Sequence, residues 1–309
     1  MRRFLLRRLL ASLVVVLGVP TLVFGVIRMA PGDPAETILG EQALPGDKAR
    51  WRALRHLDEP LHVQYGYFLA AIADGSLGTD YENQQRTVSS KLLHHFPATL
   101  QLALAALAVA LLISLPLGLL AALRQYSWID HGSMVLALLG ISMPAFWLGP
   151  MLLILFSQML RWLPNPGDEV MSLPALILPA ICLGAALAAK LTRMTRSSIL
   201  EVLREEHVVC ARARGLPRWL ILTRHVLRNA LIPVVTVLGM QLGALLTGAI
   251  VTEKVFARPG LGTLLLDAIE KRNFDIVQGT VLLIAFLYLV VNLLTDLAYA
   301  WIDPRVRYQ

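Results

Sequence analysis

The stretch Ala98-Thr-Leu-Gln-Leu-Ala-Leu-Ala-Ala-Leu-Ala-Val-Ala-Leu-Leu-Ile-Ser-Leu-Pro-Leu-Gly-Leu-Leu-Ala-Ala-Leu123 holds no Asp, Glu, Lys or Arg. A helix needs about 20 apolar residues to cross roughly 30 Å of hydrocarbon, so this run spans a membrane with residues to spare. Inside lipid the backbone amides must be satisfied within the segment, and the run lacks the period-two alternation of a barrel strand; it is a helix. Five more charge-free runs repeat the pattern at Leu9–Ile27, Gly132–Leu160, Met171–Ala189, Asn229–Thr252 and Ile276–Thr295. The expectation is an all-α, polytopic membrane protein of six transmembrane helices. Pro174 and Pro179 make the fourth the weakest, able to delay or kink its start.

Composition agrees. Of 309 residues 56% are hydrophobic and 16% charged, with a mean hydropathy of +0.63. Soluble domains carry about 25% charged residues, so a water-soluble enzyme and a disordered chain are both excluded. Two cysteines, Cys182 and Cys210, exclude a disulfide scaffold, and no Cys/His cluster suggests zinc. The basic start Met1-Arg-Arg-Phe-Leu-Leu-Arg-Arg8 invites a signal-peptide reading. However, its apolar run is long and Val26-Ile-Arg-Met-Ala30 is a poor cleavage site, which favours a retained first helix.

The net charge of +7 is unevenly placed. Arg2, Arg3, Arg7 and Arg8 precede the first span. Arg124 follows the second. Lys190, Arg193, Arg196, Arg204, Arg212, Arg214, Arg218, Arg224 and Arg228 lie between spans four and five, and Arg305 and Arg307 end the chain. With six spans these segments share one side, which the positive-inside rule makes cytoplasmic, together with both termini. The basic excess reports topology and not a nucleic-acid footprint.

Two soluble parts remain. Pro31 to Phe96 lies outside, with helical spacing at Trp51, Leu54, Leu57 and at Val63, Tyr67 and Leu69–Ile72, broken by Asp58-Glu-Pro and Gly75-Ser-Leu-Gly. On the cytoplasmic side, residues from about 192 to 228 carry Leu200, Leu203, His207 and Cys210 at helical spacing before Gly215-Leu-Pro217. A Gly stop followed by a Pro start predicts a helix–turn–helix, its second helix running on into span five. Amphipathic helices of their own mark the loop as a docking element.

No phosphate-binding GxxxxGK[ST], GxSxG or HExxH is present, so neither nucleotide binding nor hydrolysis is expected in this chain. Ionisable residues are nearly absent from the spans, Asp296 being the candidate for a proton or ion relay. An ion-coupled carrier is thus the distant alternative, and a transporter of this kind must borrow its energy.

Read together, several segments resemble the first permease subunit of the dipeptide/oligopeptide/nickel family of binding-protein-dependent ABC importers. They are Arg28-Met-Ala-Pro-Gly-Asp-Pro-Ala35, Leu57-Asp-Glu-Pro-Leu-His-Val-Gln-Tyr65, Gly75-Ser-Leu-Gly-Thr79, Phe96-Pro-Ala-Thr-Leu100, Ile141-Ser-Met-Pro-Ala-Phe-Trp-Leu148, Phe256-Ala-Arg-Pro-Gly-Leu-Gly262 and Asp303-Pro-Arg-Val-Arg307. The resemblance implies a type I importer permease in a bacterial cytoplasmic (inner) membrane. It implies a homologous second permease, two cytoplasmic ATPase subunits that use ATP and Mg, and an extracytoplasmic binding protein, with no catalytic site or cofactor here. Residues 1–97 would form the first helix and extracytoplasmic segment, 98–302 the transmembrane core, and 303–309 a cytoplasmic tail. The substrate would be a di- or oligopeptide, with nickel or a metal chelate as the alternative.

The family's docking loop carries a Glu-Ala-Ala-x-x-x-Gly pattern. Anchored on Gly215 it puts Val209, Cys210 and Ala211 at the first three positions, and Arg228 where a Pro is usual. Ala211 and Gly215, with Arg212, Arg214 and Glu206, are therefore the expected ATPase-coupling residues, Ala211 permitting close approach to a partner groove. Gln241, Asn292 and Asp296 are the polar groups expected at a pore or helix interface, the last two on one face. Gly239-Met-Gln-Leu-Gly243 would admit a close helix neighbour. His56, His62, His94 and His95 lack ligand spacing and read as surface histidines.

Overall fold

The computed structural model describes residue 15 and residues 18–29, 32–83, 85–168 and 171–302, the side chains of 248 and 296–302 excepted. Apart from one isolated bridge between Thr79 and Thr87, the described residues are organised as helices joined by turns: α1 (Gly18–Met29), α2 (Pro34–Leu39), α3 (Pro45–Leu54), α4 (Leu61–Ala73), α5 (Val88–Leu123), α6 (Trp128–Ser142), α7 (Ala145–Leu152), α8 (Leu173–Val202), α9 (Glu206–Ala213), α10 (Arg218–Leu220), α11 (Leu227–Val255), α12 (Leu261–Glu270) and α13 (Phe274–Ile302). Wide π-helical turns extend α7 through Met159 and join α10 to α11 through Ile221–Val226.

Four helical stretches are long and apolar enough to cross a membrane: Val88–Leu123, Leu173–Val202, Arg218–Thr247 and Phe274–Thr295. The pair α6 and α7 makes a fifth if taken as one span. Of the sixth expected span, Leu9–Ile27, residues 9–14, 16 and 17 lie outside the described residues, and residues 18–27 belong to α1.

The uninterrupted third helix expected over Gly132–Leu160 is instead bent by 108°. Met143 is extended (φ −84°, ψ 117°) ahead of Pro144, because the proline ring clashes with an α-helical residue before it. At α8 the two prolines behave differently from one another. Ser172 caps the helix, its Oγ accepting from Ala175 N at 3.4 Å, and Pro174 sits in the first turn where no N–H is missed. Pro179 is carried within the helix.

The residues fall into two compact units, one of residues 1–99 and 259–289, the other of 100–258 and 290–309. The first unit is centred on buried Ala35, Trp51 and Tyr81. Asp33 caps α2 by accepting from Ala35 N at 3.0 Å and also pairs with Arg52 on α3. Deeper lies Asp80, 2% exposed, which accepts from Lys91 Nζ at 2.8 Å, Asn273 Nδ2 at 2.8 Å and Glu82 N at 3.1 Å. One carboxylate thus joins the loop before α5, the first turn of α5 and the α12–α13 turn. Burial raises its pKa, but Lys91 and the two N–H donors outweigh this and hold it below the ordinary carboxylate value.

In the second unit α8 is the central helix, and small residues set its packing. A Cβ on Gly184 would fall 2.6 Å from the Ala106 carbonyl oxygen of α5, and one on Gly118 of α5 would fall 2.6 Å from Thr195 Cβ. Two helices this close gain dispersion contact that lipid cannot replace.

Candidate functional site: the α9 coupling element

Most of the basic loop expected between spans four and five is helical. α8 continues to Val202, three residues break the chain, and α9 follows. Glu206 occupies its first turn, where the helix dipole favours an acid. Its end is a Schellman motif: Gly215 N donates to Arg212 O at 2.9 Å and Leu216 N to Ala211 O at 3.3 Å. Gly215 supplies the left-handed residue this needs, with φ +74°. Pro217 then opens α10, as the Gly–x–Pro order predicts.

α9 has two distinct faces. Val208 and Ala211 turn inward, joining Ala122, Ile199, Val202, Ile221, Val226 and Ala230 in one apolar cluster drawn from α5, α8, α9 and the α10–α11 stretch. Ala211 therefore owes its small size to this internal core, and its methyl does not face outward as expected for a contact with a partner groove. The outward face carries Glu206, Val209, Cys210, Arg212 and Ala213, with Arg214 and Trp219 exposed beside the turn. A polar tie reinforces the packing: Asn229 Nδ2 lies 3.3 Å from His207 Nε2, and His207 Nδ1 lies 3.0 Å from Glu205 Oε2. The element is thus a short helix whose apolar side is shared with long helices and whose charged side is free of the chain's own core.

A second feature went unread in the sequence. Asp130 on α6 is buried, and Arg196 on α8 grips it bidentately, Nε to Oδ1 at 2.5 Å and Nη2 to Oδ2 at 2.8 Å. Asp130 also accepts from Tyr126 N at 2.9 Å, which pins the α5–α6 turn. Arg196 had counted only as a positive-inside charge; a lone acid beside Ser127, a helix-capping residue, was the available clue. In the Phe256-Ala-Arg-Pro-Gly turn Arg258 is fully enclosed and donates from Nη2 to Gln101 Oε1 at 3.1 Å.

Gln241 and Asn292 are partly buried, and the Asp296 side chain lies outside the described residues. A Cβ on Gly239 would collide with Thr295 of α13, so the small residue at 239 admits a helix of the same chain. Among the described residues no three His, Cys, Asp or Glu side chains gather at metal-binding range.

The described residues thus combine apolar helices of membrane-crossing length with a short helix anchored in their core and exposed on its other face. Comparisons with known proteins make this specific. Residues 114–308 match the family described as binding-protein-dependent transport system inner membrane component, and residues 1–103 match the N-terminal membrane component of the same systems. The chain belongs to this family. It is 39% identical to a dipeptide transport system permease protein of Alkalihalophilus pseudofirmus and 41% identical to a glutathione transport system permease protein of Salmonella typhimurium. A dipeptide permease of Escherichia coli is 39% identical. Each alignment covers 100% of both chains. The fold resembles that of an inward-facing methionine ABC transporter (TM-score 0.53, 17% identity, 69% of this chain and 96% of that one). It also resembles an amino acid ABC transporter (0.50, 18%, 70% and 94%).

Proposed function

We propose that this chain is one permease of an ATP-driven importer of di- or oligopeptides. It would supply half of the translocation pathway beside a homologous permease, with two ATPase subunits on the cytoplasmic side and a binding protein delivering substrate outside. The observation that carries the reading is the α9 core: a helix with an exposed, charged face whose apolar face is continuous with α5, α8 and α11. A push on the outer face is transmitted to those helices as a rigid-body movement, since close-packed cores do not deform gradually. Glu206, Arg212 and Arg214 would meet the ATPase, and Ala211 and Gly215 would hold the helix in shape.

Full-length likeness to dipeptide and glutathione permeases supports peptide over nickel or a metal chelate. The reading sets the chain in a bacterial inner membrane with both termini cytoplasmic, residues 1–97, 98–302 and 303–309 in the roles expected from sequence, and no chemistry of its own. The test is reconstitution in proteoliposomes with its neighbouring permease, ATPases and binding protein. ATP-dependent uptake of a labelled dipeptide is expected; uptake of nickel instead, or peptide uptake without ATP, would overturn the proposal.

A further inference from the structure

The first unit holds an apolar space of about 270 Å³. Val19 on α1 and Leu282, Ala285 and Leu289 on α13 form its walls, and Ile72 and Leu77 close one end. No lining side chain carries a polar atom. A buried water needs about two to four polar partners, so the space excludes water and suits only apolar matter.

Its depth follows from the two helices. Leu77 also borders a second, polar space lined by Arg28, Arg55, Asp275 and Gln278 among others. Along α13 the polar positions 275 and 278 give way to Leu282, and along α1 Arg28 gives way to Pro20 and Val19. Both helices therefore pass from polar to apolar at the level of Leu77, and the apolar space lies on the hydrocarbon side of that boundary, within the charge-free runs. The closing turn is suited to this position. Ser76 N, Leu77 N and Gly78 N donate to Asp74 Oδ1, Ala71 O and Ser76 Oγ at 2.8, 2.8 and 3.2 Å, as irregular backbone next to lipid requires. Leu77 itself is left-handed (φ +59°) between Gly75 and Gly78. Glycine would hold that conformation without strain, so the turn carries a strained leucine where its side chain closes the space.

From Leu282 to Leu289 the space follows α13 for about 10 Å, roughly two-thirds of one leaflet. Its volume over that length gives a cross-section of about 25–30 Å², far below that of a helix about 10–12 Å across. A flexible hydrocarbon chain fits where a helix does not. We propose that the space holds one acyl chain of a membrane phospholipid, packed between α1 and α13. Toward its Arg28 end α1 is held by α4: Phe24 packs on Tyr65 and Phe68 with ring centroids 5.1 and 5.7 Å apart, and Arg28 Nε donates to Gln64 Oε1 at 2.8 Å. The lipid chain takes over this role along Val19 and Pro20. The site is independent of what the protein transports.

The test is photolabelling of the full-length chain in phosphatidylethanolamine–phosphatidylglycerol nanodiscs that contain a phospholipid with a diazirine on one acyl chain, mapped by peptide mass spectrometry. Ile72 and Leu77 are expected to label as strongly as Leu112, which is 75% exposed on α5. Ala285→Phe takes the room of several methylenes, and displacement of even two weakens chain binding about ten-fold. Labelling at 72 and 77 should fall by that factor or more, with Leu112 unchanged. If Ala285→Phe does not fold, Val19→Leu reads the same loss at smaller size. Unlabelled Ile72 and Leu77 in the unaltered chain would overturn the proposal. Labelling that a folded, filled variant retains would also overturn it, by showing only passing contact with bulk lipid. So would labelling of the isolated chain that disappears in the assembled complex, since a protein partner would then cover the space.

Discussion

Gly215 offers a perturbation whose outcome separates two physical accounts of the same residue. A Cβ built there meets no atom within 4 Å, while the backbone sits at φ +74°. If the glycine serves the turn, cost follows backbone preference and not side-chain size. Alanine at a left-handed position costs about 1 kcal/mol and a β-branched residue more, whereas asparagine visits this region with little penalty. About 1 kcal/mol is a roughly five-fold shift toward an open turn. In that state the Gly215 and Leu216 amides lose their acceptors on Arg212 and Ala211. Hydrogen exchange over residues 206–217 should therefore rise in the order Gly215→Asn, Gly215→Ala, Gly215→Val, and ATPase subunits co-purified from detergent should fall in the same order. If the glycine instead admits a partner's surface, bulk decides, and Gly215→Asn must retain less ATPase than Gly215→Ala. That second ordering would refute the account of α9 given above.

The Asp130–Arg196 pair predicts a steep single-mutant effect. Asp130→Ala strands a largely enclosed guanidinium and should cost about 3 kcal/mol, at the lower end for breaking a buried pair because the Arg196 side chain keeps 23% exposure; the double change Asp130→Ala/Arg196→Ala should recover part of it in thermal unfolding. For Asp80, a folded-state pKa below the unfolded value means stabilisation that is present at neutral pH and lost as pH falls below about 4. Tryptophan fluorescence of the first unit, which buries Trp51, should report an acid transition there, and Asp80→Asn should remove that pH dependence while lowering stability at pH 7. Asp296→Asn should leave ATP-driven uptake intact in vesicles without ion gradients; loss of uptake on this change alone would revive the ion-coupled alternative.

Charge-free runs were enough to read an all-helical, multi-pass chain, because exclusion of charge from hydrocarbon leaves a long, local signal. They misplaced helix ends for the same reason. α5 begins at Val88, ten residues before its apolar run, and α8 passes through Lys190, Arg193 and Arg196 to Val202; hydropathy reports where lipid ends, not where backbone hydrogen bonding ends. The stop at Gly215 and start at Pro217 were legible, since both residues act through their own dihedral angles. Met143-Pro144 carried a legible break as well, and the apolar run across it concealed the signal. Ala211 was read as an outward contact because its spacing from Gly215 is local, while the face it presents depends on Ile199, Val226 and Ala230 arriving from other helices.

What could not be read is what depends on partners far apart in the chain. Asp130 and Arg196 are 66 positions apart, and each alone is an unremarked charge near a membrane surface. Arg28, Asp275 and Gln278 are likewise ordinary residues at the margins of apolar runs until folding sets them around one space. Both groupings are polar, buried and costly when incomplete, so each constrains the helices that carry it more tightly than apolar packing does. The Asp130–Arg196 pair is complete within the chain and fixes α6 to α8. The cavity residues come from three separate stretches of chain, around 28, 54–81 and 275–278, and that separation, more than residue type, kept both groupings out of reach of a local pattern.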